Sequence, residues 1–177
     1  MTSTDPARDH APHGDRAAAL ERVAQLLDGA DTAMLTTVDA DGDLAARPMA
    51  LVPRAFDGRL HLFTDEASHE AADIAARPRV GVTVDLSARG DWIALAGEAR
   101  IVRDDAQARA LWDDRLNPWF VDGPDTAGIV LVQVELSRAE YWEGPGAAQT
   151  LFGSLRAALT RSADDPLLDV EHAAIDL

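Results

Sequence analysis

The sequence predicts a mainly β chain, a small antiparallel barrel with a few attached helices. Three observations carry this reading. Six β-favouring segments recur with regular turn signals between them. The strict alternation of strand and helix that builds a parallel sheet is missing. Helical periodicity is confined to short stretches. With 177 residues and 47% hydrophobic content, one domain with a proper core is expected, and wholesale disorder is excluded.

Residues 1–14 are polar and carry Pro6, Pro12 and Gly14, the composition of a disordered N-terminal arm. The folded domain is expected over 15–143. Leu20, Val23, Ala24 and Leu27 recur at helical spacing and the pattern stops near Gly29. Ala33 to Val38 is a short β run. Asp39-Ala40-Asp41-Gly42 then predicts a hairpin turn, because Gly42 can take the positive φ of a tight reversal.

The return strand, about Asp43 to Val52, contains Pro48, which removes a ladder donor and places this strand at an edge or bulge. Asp57-Gly58 turns the chain into a strand from Arg59 to Thr64. Residues 67–76 read as a short helix ended by Pro78, and Val80 to Leu86 and Asp91 to Val102 as two further strands. Asp104 to Leu116 reads as a helix with Ala108, Leu111 and Trp112 on its apolar face. Residues 117–128 form a loop rich in Pro, Gly and Asp. Ile129 to Val134 is the most apolar strand and the expected centre of the sheet. Residues 144–177 are expected to hold a last helix near 147–160 and an acidic tail.

The charge balance narrows the function classes. Sixteen basic residues, all arginine, face 31 acidic ones for a formal net charge of −15. Nucleic-acid binding by bulk charge is therefore not expected. With no cysteine there is no disulfide framework, thiolate metal site or cysteine nucleophile. The N-terminus lacks the apolar core of a secretory signal and no stretch reaches the roughly 20 apolar residues of a membrane span. A cytoplasmic enzyme or binding protein is the expectation.

Searches for catalytic motifs find no glycine-rich phosphate loop, no histidine pair at metal spacing and no serine elbow. His10, His13, His61, His69 and His172 are scattered, so neither a metal site nor a catalytic side chain is assigned. Two features rise above this background. Arg47-Pro48-Met49 precedes a strand end and helix start at Phe63, Thr64, Ser68 and His69. Hydroxyls and free backbone N–H groups there, with Arg47, would make a compact phosphate pocket. The plainer alternative is that Ser68 is an N-cap and Arg47 a surface charge. The other feature is the tryptophan set Trp92, Trp112, Trp119 and Trp142. Trp112 reads as core, whereas Trp119, in a Pro/Gly loop, reads as a ligand or partner contact.

The ordered run of pieces resembles the FMN-binding split-barrel family related to pyridoxamine 5'-phosphate oxidase, its general stress protein branch above all. The resemblance rests on Met34 to Asp39 with Asp41-Gly42, Arg47-Pro48-Met49 and Leu62-Phe63-Thr64. It continues through Ser68-His69, Pro78-Arg79-Val80, Gly97-Glu98-Ala99, Trp119-Phe120 and Tyr141-Trp142, covering about residues 16–143. It implies a six-stranded antiparallel split β-barrel that forms a homodimer with FMN at the subunit interface. By the same resemblance Arg47, Thr64, Ser68 and His69 would surround the FMN phosphate and ribityl chain. Pro48, Met49 and Phe63 would lie along the ring, Trp92 at its edge, and Trp119 and Trp142 would close the pocket. Hydride or electron transfer through the flavin would need no protein nucleophile.

One position departs from the pattern. After Ser-His the family places lysine, and here stands Glu70. Two like charges 4 Å apart at surface-like dielectric repel by roughly 4 kcal/mol. Weaker FMN binding is expected unless Glu70 turns to solvent or Arg77 or Arg79 compensates. Residues 144–177 also lack the arginine- and histidine-containing substrate signature of the authentic oxidase. The alternatives in the same fold are a non-enzymatic flavin protein for storage, sensing or scaffolding, and an F420-dependent reductase, whose anionic tail suits this acidic chain poorly. A haem-binding variant is remote, with no well-placed axial histidine in view.

Overall fold

The computed structural model describes residues 16–52, 56–86, 88, 90–143 and 171–176; the arm of 1–14 and the helix expected near 147–160 lie outside them. Helix α1 (Arg16–Leu27) leads into β1 (Thr32–Val38), β2 (Leu44–Ala50) and β3 (Arg59–Asp65). Helix α2 (His69–Ala76), β4 (Arg79–Leu86), β5 (Asp91–Val102) and helix α3 (Asp105–Leu111) follow. The long β6 (Ile129–Glu143) and a terminal β7 (Glu171–Asp176) complete the order. All pairings are antiparallel.

The strands run β2-β1-β4-β5-β6-β3, with β7 beside β6. The first and last strands of this path come back together, and among the described residues one isolated bridge joins them, Leu51 to Leu62. The sheet is thus a barrel with a slit between β2 and β3, the split barrel expected from the sequence. Pro48 sits on β2, opposite Met34 of β1. Its other side faces the slit, so its missing N–H costs no ladder bond. The β1–β2 turn has the predicted form: Gly42 has φ 91°, and Asp39 Oδ1 accepts from the amides of Asp41 and Asp43 at 3.0 and 2.9 Å.

Two apolar layers sandwich the β3–β6 part of the wall. Inside the barrel, Leu35, Leu62, Val82, Val84, Ile93, Val132 and Val134 are fully buried, and α1 plugs one end with Val23 and Leu26. The buried stripe of α1 runs through Ala19, Val23 and Leu26, one position off the predicted one, with Leu20 and Leu27 at its margins. Outside, Phe63 and Leu131 pack under Ala108, Leu116, Trp112 and Phe120. Covering on both faces explains why Ile129 to Val132 reads as a continuous apolar run, resumed at Val134 after Gln133.

Three elements differ from the sequence expectation, one of them β7, a strand within the stretch expected to be an acidic tail. The helix expected to reach Leu116 ends at Leu111: Trp112 takes φ −58°, ψ 140°, and Asp113 caps a separate 3-10 turn over Asp114–Leu116. Strand β6 continues nine residues past Val134 because β5 pairs with it as far as Glu143. The register shifts opposite Ala96/Gly97, where Gly97 faces Leu136 and Ala96 faces Arg138, leaving Ser137 as the extra residue of a β-bulge.

One interior polar pair is sensitive to pH. His61 of β3 is half-buried and its Nε2 lies 3.1 Å from Gln133 Nε2, so the ring is the neutral acceptor. Burial lowers its pKa from 6.5, helped by Arg59 and Arg100 and opposed by Asp57. Below 6.5 the unfolded chain therefore binds more protons than the folded one, and stability falls as the pH drops towards the folded value. Urea unfolding between pH 5 and 8, a window of about one unit and a half either side of that value, is expected to show this acid-side slope. His61→Gln should flatten it.

Candidate functional site

The slit between β2 and β3 opens into a pocket of about 240 Å³. Its lining joins Arg47, Pro48, Met49 and Ala50 of β2 to Phe63, Thr64 and Asp65 of β3, with Thr32, Glu70, Leu116, Trp119 and Phe120 around the rim. The pocket exists because β2 and β3 run side by side with a single bridge between them, leaving the slit side of β2 without a ladder neighbour along this stretch.

The apolar wall is built on packed aromatic rings. Phe63, Trp112 and Phe120 meet edge to face, with ring centroids 5.4, 6.0 and 6.4 Å apart. Leu116 is buried among them. Arg115 anchors the same loop to Asp113 and to Asp31 at the start of β1. These contacts hold Trp119, which is 67% exposed, at the pocket mouth.

The polar end is built from short-range and long-range partners. Ser68 N-caps α2, its Oγ accepting from Ala71 N at 3.2 Å. Thr64 is buried; its Oγ1 lies 3.0 Å from Ser68 Oγ and donates to Glu70 Oε1. Glu70 is thus half-buried and tied to the pocket wall. Arg47 reaches under the sheet, donating from Nη1 to Thr37 Oγ1 at 2.7 Å, with Nη2 3.6 Å from Asp73 Oδ2. Thr37 Oγ1 in turn donates to Asp73 at 2.7 Å. Among the described residues Arg47 is the one cation of the lining, and it is already matched, while Glu70 and Asp65 contribute two carboxylates. Neither candidate compensator is present in the lining: Arg77 bonds the Ala40 carbonyl, and Arg79 lines a separate cavity beside Gly97.

Of the ten residues singled out from the sequence, Arg47, Pro48, Met49, Phe63, Thr64 and Trp119 come together in this pocket. Ser68 sits directly behind Thr64, and His69 is exposed at the start of α2. Trp92 and Trp142 face each other across β5 and β6, away from the lining, with Trp92 41% exposed. The lining residues outside those ten are Thr32, Ala50, Asp65, Glu70, Leu116 and Phe120, and behind the pocket lie Thr37 and Asp73. Asp73 had no local signal: it meets Arg47 only because α2 packs on β1.

Residues 18–165 match the family described as pyridoxamine 5'-phosphate oxidase like. The chain belongs to this family. Among solved structures, this pyridoxamine 5'-phosphate oxidase-like chain is similar to general stress protein 26 of Bacillus anthracis str. Sterne, with 25% identity and a TM-score of 0.61 over 70% of this chain and 92% of that one. A general-stress-protein-26-like chain from Jannaschia sp. CCS1 superposes with a TM-score of 0.70 at 20% identity, over 91% and 99% of the two chains. A haem-binding protein from Mycobacterium smegmatis shares the fold at 20% identity and a TM-score of 0.57, over 70% of this chain and 53% of that one. No curated protein matches the sequence.

For a family member, the pocket is divided in character. A planar heteroaromatic ring fits its apolar part, between Met49, Phe63, Phe120 and Trp119. A phosphate does not fit its polar end, where a dianion would meet Glu70 and Asp65 and find Arg47 held by Asp73. Among the described residues no group of histidines and carboxylates is arranged to hold a metal, and no helix is long and apolar enough to cross a membrane.

Proposed function

We propose that the chain is a flavin-binding redox protein that works as a homodimer, with the flavin ring seated in the slit between β2 and β3. The pocket carries this reading: an apolar slot beside an unladdered strand edge, capped by an exposed tryptophan, at the position where FMN is expected from the sequence. The free backbone edge of β2 can hydrogen-bond the polar rim of a flavin ring, Phe63 and Met49 pack against its face, and Trp119 screens it from water. A bound flavin supplies hydride or one-electron transfer, and the chain's part is to bind, orient and shield it.

Two features support a second copy as part of the site. At about 240 Å³ the pocket falls below the roughly 300–1,000 Å³ typical of sites that enclose an organic ligand, so one chain supplies only part of the enclosure. Beside it, Pro48, Met34, Thr83 and Ala94 lie at matched register across β2, β1, β4 and β5. They form a stripe of small and apolar side chains across four strands, in which Met34 is 41% exposed. A stripe of this kind is self-complementary across a two-fold axis.

Titration of the purified protein with riboflavin and with FMN, followed by flavin fluorescence, tests the reading. Saturable quenching by at least one flavin is expected, at one flavin per chain in a dimer by sedimentation. Trp119→Ala should weaken it by about tenfold, equivalent to about 1.4 kcal/mol. Absence of binding by both flavins would overturn it.

A further inference from the structure

We infer that the pocket selects against the flavin phosphate and takes the uncharged, phosphate-free flavin, with Glu70 and Thr64 as the partners of its polyol chain. The inference rests on the flavin reading above and goes beyond it by naming the ligand form. Four observations on this chain converge.

First, Glu70, half-buried, lines the pocket and is held there by the Thr64 hydroxyl, so its charge stays beside the pocket. Second, among the described residues the only cation in the lining is Arg47. Its guanidinium is shared with Thr37 and Asp73, which leaves little positive potential for an incoming anion. Third, the exposed Asp65 adds a second carboxylate to the lining; its Oδ1 accepts from the Ala67 amide at 2.7 Å. Fourth, the Ser68 hydroxyl is used as the N-cap of α2, so it is already engaged by the helix.

The chemistry separates the two ligands. A phosphate monoester carries up to two negative charges near neutral pH and acceptor oxygens, and at this end of the pocket it would face other acceptors. A ribityl chain is neutral and each hydroxyl is both donor and acceptor. A carboxylate accepts such O–H donors in short, charge-assisted bonds. Glu70 therefore opposes the first ligand and welcomes the second. The same argument disfavours F420, whose tail is also anionic.

The test compares riboflavin with FMN on the full-length protein at low ionic strength, by fluorescence titration, for the wild type, Glu70→Lys and the near-isosteric Glu70→Gln. The wild type is expected to bind riboflavin at least tenfold more tightly than FMN. Glu70→Lys should invert that order by strengthening FMN binding tenfold or more, and Glu70→Gln should lie between. Raising the salt concentration should narrow the wild-type preference, because charge repulsion is screened. FMN binding as tight as riboflavin in the wild type would overturn this inference and leave the flavin reading intact. Equal FMN affinity in all three proteins, with unchanged circular dichroism, would also overturn it. Failure of both flavins to bind any of the three would remove the flavin reading itself, and this inference with it.

Discussion

Gly97→Ala is expected to cost about 3 kcal/mol of folding stability, near the upper end of ordinary overpacking effects. The position lies at the register shift of β5 against β6, where the backbones approach so closely that a Cβ would stand 2.3 Å from the Glu135 carbonyl oxygen and 3.0 Å from its carbon. Both neighbours are backbone, so no side chain can swing aside to relieve the contact. Relief requires the bulge at Ser137 to open, which breaks the pairing that carries β6 on towards β7. Thermal unfolding of the variant should show a midpoint lower by about 10 °C, taking roughly 2–4 °C per kcal/mol for a chain of this size. Gly81→Ala is the control. It is also a strand glycine, but an added Cβ there meets its nearest atom at 3.8 Å, and it should unfold close to wild type. Equal midpoints for Gly97→Ala and wild type would show that the bulge adapts.

Arg47→Met is expected to destabilise the protein by about 2 kcal/mol while keeping most of the aliphatic stem in place. The guanidinium is one-fifth exposed and Asp73 about one-tenth, so removing the cation leaves a largely buried carboxylate with the Thr37 hydroxyl for support. Asp73→Ala should cost less, because Arg47 lines the pocket and can turn towards water there. In the double variant the cost should fall below the sum of the two single costs, the signature of a coupled pair. Asp73→Asn should also raise FMN affinity without touching the pocket lining, since it frees Arg47, a cation of that lining. Additive costs in urea unfolding would show that Arg47 and Asp73 act independently and that Arg47 is available to ligands in the wild type.

The contrast between these two residues explains what was legible in the sequence. The β1–β2 turn, the edge placement of Pro48 and the course of β5 from Asp91 to Val102 follow from local rules: a glycine able to take positive φ, a proline without N–H, and period-two alternation. Although β6 lies next to the end of the sheet path and not at its centre, its being an inner strand, paired on both sides, was readable from its apolar run over Ile129 to Val132. Its extension to Glu143 was not, because Ser137, Arg138 and Glu140 are polar and pair there only under the guidance of β5 and β7. Strand β7 has an acidic, alanine-rich sequence with weak β preference, and its pairing with Arg138 to Glu143 is a tertiary decision. The early end of α3 is a local competition that Asp113 won by capping the next turn.

The candidate site divides along the same line. The sequence alone determined that Arg47, Pro48, Met49, Phe63 and Thr64 belong to neighbouring strand segments, that Ser68 starts a helix, and that Glu70 stands where the family resemblance leads one to expect lysine. It also determined the large acidic excess that surrounds them. Only the tertiary structure decided what those charges do. Arg47 and Asp73 are 26 residues apart by number and meet because α2 packs on β1. Glu70 could have reached solvent from the first turn of its helix, but the Thr64 hydroxyl at the end of β3 holds it inward. Local sequence sets backbone preference and side-chain chemistry, whereas the direction of a charged side chain depends on which partner the fold brings within a few ångströms. For this chain that direction turns a substitution at one position into the dominant charge of the pocket.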